Sequence, residues 1–325
     1  MKILLVKNSV VPPKDYGGTE RVVYWLANSL QKIGHQVTIL CAMGSVSSKI
    51  NIQLIDPSKP VEKQIGDIYD IVHFHDPYKD FLSVPYINTI HGVADPGESY
   101  SINSVFVSHN QAKCHAAEAV VYHGLDYSEY GIYNKNQKKD YLHFLAKTRW
   151  KIKNIDGAIA IANKANKNLE VMGNNPIEKV VIKNIFSTSV HFNGMIAGDR
   201  KNEIMAKSTG LIFPTLCQET FGLSMFESMY HGCPVYGTTY GSLPELILPE
   251  VGYLANNADD LANAIKNASY NFDHIHQYAT DLFSAEVMAK NYIKVYEQVL
   301  NGQTLNKTEP IYQKEYLDKT FEFEM

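Results

Sequence analysis

Short apolar runs alternate with helix-spaced segments along most of the chain. Positions 2–6 are an apolar run that reads as a first buried strand. After a loop at 10–18, Thr19-Glu20 open a helix whose Val22, Val23, Leu26, Leu30 and Ile33 share one face, and Gly34 stops it. Positions 35–40 form the next strand. Strands joined through a helix run parallel, so the pattern predicts an α/β sheet. Runs at 70–76, 86–92, 104–109 and 119–126 each end in a polar residue, a histidine or a turn. A polar stretch rich in Tyr and Lys follows at 127–139. The second half then restarts the pattern: a strand at 141–146, a basic loop at 147–153 and a helix at 155–165 with Ile155, Ala158, Ile159 and Ala162 on one face. A strand at 169–173 ends in Gly173, and the segment 177–186 predicts another strand at Val180-Val181-Ile182. A polar helix at 199–207, a strand at 210–214, a short helix ending at His231-Gly232, a strand at 234–237 and a turn at 241–245 follow. Helices are expected at 259–268 and 285–300.

This pattern divides the chain into two α/β halves, 1–130 and 131–282, with the last helix and tail (283–325) assigned to the first. A length of 325 residues suits two domains of about 150 each. The last 25 residues are polar and charged with aromatics interleaved, and read as a loose tail or one packed back on the first domain.

Composition adds mainly exclusions. Hydrophobic residues make up 45% of the chain, enough for two ordinary cores. A net charge of −4 argues against a general nucleic-acid binder, which would be basic. Cys41, Cys114, Cys217 and Cys233 form no C-x-x-C pair and have no accompanying His cluster, so neither a zinc site nor a disulfide framework is indicated. Reduced thiols fit a cytoplasmic protein. The N-terminal apolar run is too short for a signal peptide and Lys7 interrupts it. No stretch approaches the roughly 18–20 apolar residues of a membrane helix, which leaves only peripheral contact with the inner membrane face.

In parallel α/β sheets the chemistry gathers in loops at the carboxyl ends of strands. Gly17-Gly18 lies in such a loop and permits close backbone approach to a ligand, without the G-x-G-x-x-G spacing of a dinucleotide fold. Three strand ends carry histidines. His91, followed directly by Gly92, ranks first, ahead of His75-Asp76 and His109. The basic loop offers Lys147, Arg149, Lys151 and Lys153. The strongest pattern is Glu219-Thr220-Phe221-Gly222-Leu223-Ser224-Met225-Phe226-Glu227, two carboxylates flanking a glycine turn and a helix start. A helix start suits a phosphate, and carboxylates suit hydroxyls. Together they suggest a sugar nucleotide.

That stretch, continued through Ser228-Met229-Tyr230-His231-Gly232-Cys233-Pro234-Val235, resembles the E-x7-E motif of glycosyltransferase family 4. Gly17-Gly18-Thr19-Glu20-Arg21 resembles the family's first glycine loop. Tyr122-His123-Gly124-Leu125-Asp126 is similar to its N-G-V-D segment, with His123 in place of Asn, and Gly241-Ser242-Leu243-Pro244-Glu245 to its G-x-x-P-E turn. The likeness runs in order through most of residues 1–300. It implies a retaining transferase of the GT-B fold, with two Rossmann-like domains of parallel sheet facing across a cleft. The first would bind the acceptor and the second the sugar nucleotide. Glu227 would hold the ribose hydroxyls and Glu219 the donor sugar. Thr220 lies between them, and the amides of Phe221, Gly222, Leu223 and Ser224 would meet sugar and phosphate. Gly17 and Gly18 would approach the diphosphate, with Gly173 also on the donor side, and His91 would lie beside the reacting sugar. Lys147 stands where the family has Arg and Lys153 where it has Lys, with Arg149 or Lys151 as substitutes. No D-x-D motif is present, so neither metal nor cofactor is expected, and the cations and helix dipoles must stabilise the leaving diphosphate. The expected partners are a UDP- or GDP-sugar and a glycan or lipid-linked acceptor. The first domain is short between 40 and 86, which leaves the acceptor open. A sugar-nucleotide epimerase of the same fold and a non-catalytic donor-binding protein are the alternatives.

Overall fold

The computed structural model describes residues 1–13, 17–93, 97–184, 186–316 and 321–325. Lys14, Asp15 and Tyr16 of the first glycine loop lie outside them. The chain forms two compact units: Met1–Asp126 with Phe283–Asp318, and Tyr127–Leu282 with Lys319–Met325.

The first unit holds β1 (Lys2–Lys7), α1 (Gly18–Lys32), β2 (Gln36–Cys41), β3 (Asn51–Leu54), β4 (Ile71–Phe74), β5 (Tyr86–Ile90), β6 (Ser104–Phe106) and α2 (His109–Cys114). Its six strands lie in the order β3-β2-β1-β4-β5-β6 and every pair is parallel. The second unit holds β7 (Tyr141–Leu145), α3 (Ile155–Ala165), β8 (Asn168–Met172), α4 (Lys179–Lys183), β9 (Val190–Phe192), α5 (Gly198–Lys207), β10 (Leu211–Phe213), α6 (Leu223–Tyr230), β11 (Val235–Gly237), α7 (Leu243–Leu246), β12 (Gly252–Leu254), α8 (Ala258–Asn267) and α9 (Phe272–Leu282). Its sheet runs β12-β11-β10-β7-β8-β9, again parallel throughout. The chain then returns to the first unit as α10 (Ala285–Leu300). Each sheet reverses direction once. The switch point falls between β1 and β4 in the first unit and between β7 and β10 in the second. Such points open a crevice beyond the strand ends, where open α/β sheets bind ligands.

Each sheet also carries one buried histidine that ties strand to helix. In the first unit His73 lies 2.8 Å from the Tyr296 hydroxyl of α10 and 2.7 Å from that of Thr89. In the second, His143 lies 2.7 Å from the Ser208 hydroxyl and 2.8 Å from that of Ser228 on α6. A neutral imidazole needs one donor and one acceptor, and two hydroxyls can supply both. Burial holds both rings down to about 3, so they stay neutral.

Three elements differ from the sequence expectation. Val180-Val181-Ile182 lies in the short helix α4, not a strand. The run 119–126 forms no strand and makes only isolated bridges, Val120 to Phe106 and Leu125 to Ser284. Tyr127–Tyr130 and the chain end belong with the second unit, not the first. Tyr130 donates to Glu227 at 2.8 Å, and the Glu324 backbone bonds to Asn256 and Ala258 at 3.1 and 2.8 Å.

Asn154 closes the basic loop onto α3. Its side chain accepts from the Gly157 amide at 3.0 Å, and its backbone sits in the left-handed region at φ 53°. Asn154→Ala loses the cap and keeps the strained backbone, for an expected loss of about 1–2 kcal/mol. Thermal unfolding checks this, and an unchanged Tm rules the cap out as a stabilising contact.

Candidate active site

The second unit's switch point brings together the two loops that the sequence singled out. One follows β7 and carries Lys147 to Lys153; the other follows β10 and carries Glu219. They are stitched together by the Leu216 amide and Thr215 hydroxyl, which donate to the Ile152 carbonyl at 2.7 and 3.2 Å. Across this seam Lys153 Nζ pairs with Glu219 Oε2, their side chains 15% and 13% exposed. The Lys153 ammonium also lies 5.5 Å from the Phe213 ring. Lys147 is half-buried, its ammonium 5.1 Å from the Trp150 ring, while Arg149 and Lys151 are exposed. The four cations of this loop are therefore not equivalent: Lys147 and Lys153 are held in place by the fold.

Glu219 is fixed from its backbone as well. Its amide donates to the Cys217 carbonyl at 2.8 Å, and its own carbonyl accepts from the Ser242 amide at 2.9 Å. At Gly241 an added Cβ would come within 2.3 Å of the Glu219 nitrogen and 2.5 Å of its oxygen. Only glycine lets the 241–245 turn rest on Glu219. Next to it, burial and the Glu219 carboxylate push the Cys217 thiol up, which keeps it protonated and a poor nucleophile.

From Glu219 the chain turns into α6. Gly222 provides the turn at φ 79°, and no side chain caps the helix. Phe221 is buried and stacks on Phe226 at 4.8 Å, while Thr220, Leu223 and Ser224 are half-buried. Among the described residues no N-cap side chain accepts from the first helix amides, an arrangement that suits an anion. Gly173 ends β8 beside the basic loop, its carbonyl accepting from the Thr148 amide at 3.1 Å. Glu227 lies one turn into α6 and is buried. Its Oε1 accepts from Lys201 Nζ of α5 and from the Tyr130 hydroxyl, both at 2.8 Å.

Residues 139–271 match a family model described as Glycosyl transferases group 1. The matched stretch lies within the second unit. The loop pair, the 241–245 turn, α6 and Lys201 all fall inside it. The whole chain has the GT-B fold of known glycosyltransferases. AviGT4, a glycosyltransferase involved in avilamycin A biosynthesis, is 23% identical, with a TM-score of 0.77 over 94% of this chain and 99% of that one. Sucrose-phosphate synthase from Thermosynechococcus elongatus is 16% identical, with a TM-score of 0.71 over 93% and 100%. HepE of Anabaena, solved in complex with UDP, is 17% identical, with a TM-score of 0.68 over 92% and 100%. A search of curated protein sequences returns no match.

In the first unit Gly17 precedes α1 with extended backbone, and its carbonyl accepts from the Arg21 amide at 3.2 Å. A Cβ there would press on Pro13 at 2.9 Å. Gly18 is the first residue of α1, which has no side-chain cap. His91 follows β5 and is half-buried. Its two ring nitrogens face histidines: Nε2 lies 3.0 Å from His75 Nδ1, and Nδ1 lies 3.3 Å from His123 Nε2. Asp76 pairs with Lys7 and accepts from the Asn8 amide at 2.7 Å. His109 is exposed at the start of α2.

Sequence reasoning singled out neither Lys201 nor Tyr130 as a partner of Glu227, and it passed over Gln111. The Gln111 side chain donates to the carbonyls of Ile90 and Gly92 at 3.1 and 2.8 Å and so fixes the turn after His91. No local pattern signals these pairs, because the partners stand far apart in the chain. Among the described residues, no group of three or more His, Cys, Asp or Glu is arranged to hold a metal ion, and no helix is long and apolar enough to cross a membrane.

Proposed function

We propose that the protein is a retaining glycosyltransferase of family 4 that uses a nucleotide-sugar donor, without a metal ion or other cofactor. The observation that carries this reading is the seam at the second unit's switch point. There the E-x7-E stretch and the basic loop meet through Lys153 and Glu219. Nucleotide-sugar use is supported by HepE, solved with UDP and with UDP-glucose, and by a starch synthase solved with ADP.

Breaking a sugar–phosphate bond leaves growing negative charge on the departing diphosphate. Lys147 and Lys153 are the cations assigned to it, with the amides of Phe221, Gly222, Leu223 and Ser224 beside them and Arg149 at the exposed edge. An ammonium carries three donors, so Lys153 can face phosphate while pairing with Glu219. Glu219 takes the hydroxyls of the transferred sugar and Glu227 those of the ribose. Thr220 and Gly173 line the donor, Gly17 and Gly18 act on the diphosphate, and His91 acts at the reacting sugar. The acceptor is a glycan or lipid-linked molecule, and the protein works in the cytoplasm, at most in peripheral contact with the membrane.

Glu219→Gln keeps shape and removes charge. It is expected to cut transfer by about 100-fold or more, the scale of losing one strong transition-state contact. A thermal-shift screen with UDP-, GDP- and ADP-glucose finds the donor, since a ligand bound to the native state raises Tm. Nucleotide release is then compared between wild type and Glu219→Gln. Release by the variant at the wild-type rate overturns the role of Glu219. No shift with any donor overturns the donor site itself.

A further inference from the structure

Three imidazoles in the first unit form one hydrogen-bonded line, His75–His91–His123, with the 3.0 and 3.3 Å contacts given above. Ring centroids are 5.2 and 5.0 Å apart, and the His91 and His123 planes are tilted by only 20°. The rings come from three separate places: the residue after β4, the residue after β5, and the segment before Asp126. His75 is 3% and His123 5% exposed, while His91 is the half-buried member.

A neutral imidazole has one N–H and one lone pair. With both contacts formed, only two proton arrangements are possible. Either every ring carries its proton on Nδ1, so that His75 donates to His91 and His91 to His123, or every ring carries it on Nε2 and both bonds reverse. The tautomer of His91 is thus set by its two neighbours, and a change at one end must pass to the other. The groups facing the line disfavour a positive charge on it. The His73 ring of β4 lies 4.0 Å from that of His75, and Lys7 of β1, paired with Asp76, adds its ammonium. Burial and these neighbours hold His75 and His91 well below the ordinary histidine range.

We propose that His123 is a positioning residue for sugar transfer: its Nε2 contact clamps the His91 ring and fixes its tautomer, with His75 as the second jaw. This rests on the reading that His91 acts at the reacting sugar. It gives a purpose to the departure in the sequence, where His123 stands in place of the family's Asn. The Gln amide reaches about as far from the backbone as the imidazole Nε2, so a clamp on His91 is kept with His123→Gln and removed with His123→Ala.

Imidazole 15N spectra test the line directly and need no donor. His123→Ala is expected to shift the ring nitrogens of His75, which His123 does not touch, as well as those of His91. His123→Gln is expected to keep both close to wild type. His75 and His91 resonances unmoved in His123→Ala overturn the proposal. Nucleotide release from the donor found by thermal shift tests the consequence. His123→Ala is expected to lower kcat about tenfold with donor KM within twofold, and His123→Gln to restore kcat to within about threefold. A loss confined to Tm, with kcat retained, overturns the positioning role. His91→Ala separates the two readings. If it releases nucleotide like wild type, the assignment of His91 falls. If it is inactive while His123→Ala is fully active, only the clamp falls.

Discussion

Lys201→Met is expected to destabilise the second unit by about 3–5 kcal/mol, the cost of stranding a buried charge. Lys201 and Glu227 have side chains only 7% and 11% exposed, and their 2.8 Å ion pair joins α5 to α6. Methionine fills the space of the lysine stem but leaves the Glu227 carboxylate with the Tyr130 hydroxyl on the same oxygen. The ammonium also stands 5.2 Å from the centre of the Tyr130 ring, a cation–π attraction that a thioether does not reproduce. Against a typical domain stability of about 5–15 kcal/mol, the expected effect is large. Urea unfolding of wild type, Lys201→Met and Lys201→Met/Glu227→Leu measures it. The double variant should regain much of the stability, because it removes both charges at once. A single variant as stable as wild type would show that the carboxylate needs no cation. Lys201→Met should also weaken donor binding, since the pair fixes where Glu227 points.

Most elements of this fold could be read from the chain, and several, mostly short ones, could not. The bounds of α3 and α10 are those the apolar spacing gives, because two or more turns repeat the pattern. The run Lys-Val-Val-Ile-Lys reads as a strand by composition, yet it forms the five-residue α4, where β-branched residues have no sheet neighbour to pack on. The strands β9 and β12, three residues each, and the six-residue α2 carried too little pattern to be placed, while α9, as long as α3, buries only Ile275 and Ala279. The two loops that meet at the second unit's switch point were legible because their residues are contiguous: Glu219 with α6, and Lys147 to Lys153. What each residue touches was not. Taken singly, Glu219 and Glu227 read as ordinary surface carboxylates. In the fold each is nearly buried against a lysine, and those lysines lie 66 and 26 residues away. The histidine line is hidden for the same reason. Its members look like three separate strand ends until the sheet order sets β4 beside β5.

Lowering the pH from 8 to 5 is expected to cost each unit about 4 kcal/mol of stability or more through its buried histidines. Two histidines in each are pushed by burial down to about 3, His73 and His123 in the first and His143 and His231 in the second, and in the first His75 and His91 are also held well below the ordinary range. An unfolded histidine titrates near 6.5, so below that pH the unfolded chain binds protons that the native state refuses. Stability from these groups is therefore full above about pH 6.5 and declines as pH falls toward 3. Each forfeits about 2 kcal/mol by pH 5, a large share of what a domain has. Thermal unfolding at pH 8, 7, 6 and 5 should show Tm falling ever more steeply below 6.5. A Tm flat from pH 7 to 5 sinks the argument. His231 supplies the control. Among the described residues neither of its ring nitrogens has a hydrogen-bond partner, so His231→Phe removes a proton acceptor without breaking a bond. That variant should lose about half of the second unit's pH dependence and be at least as stable as wild type at pH 5, where the native imidazole is the liability.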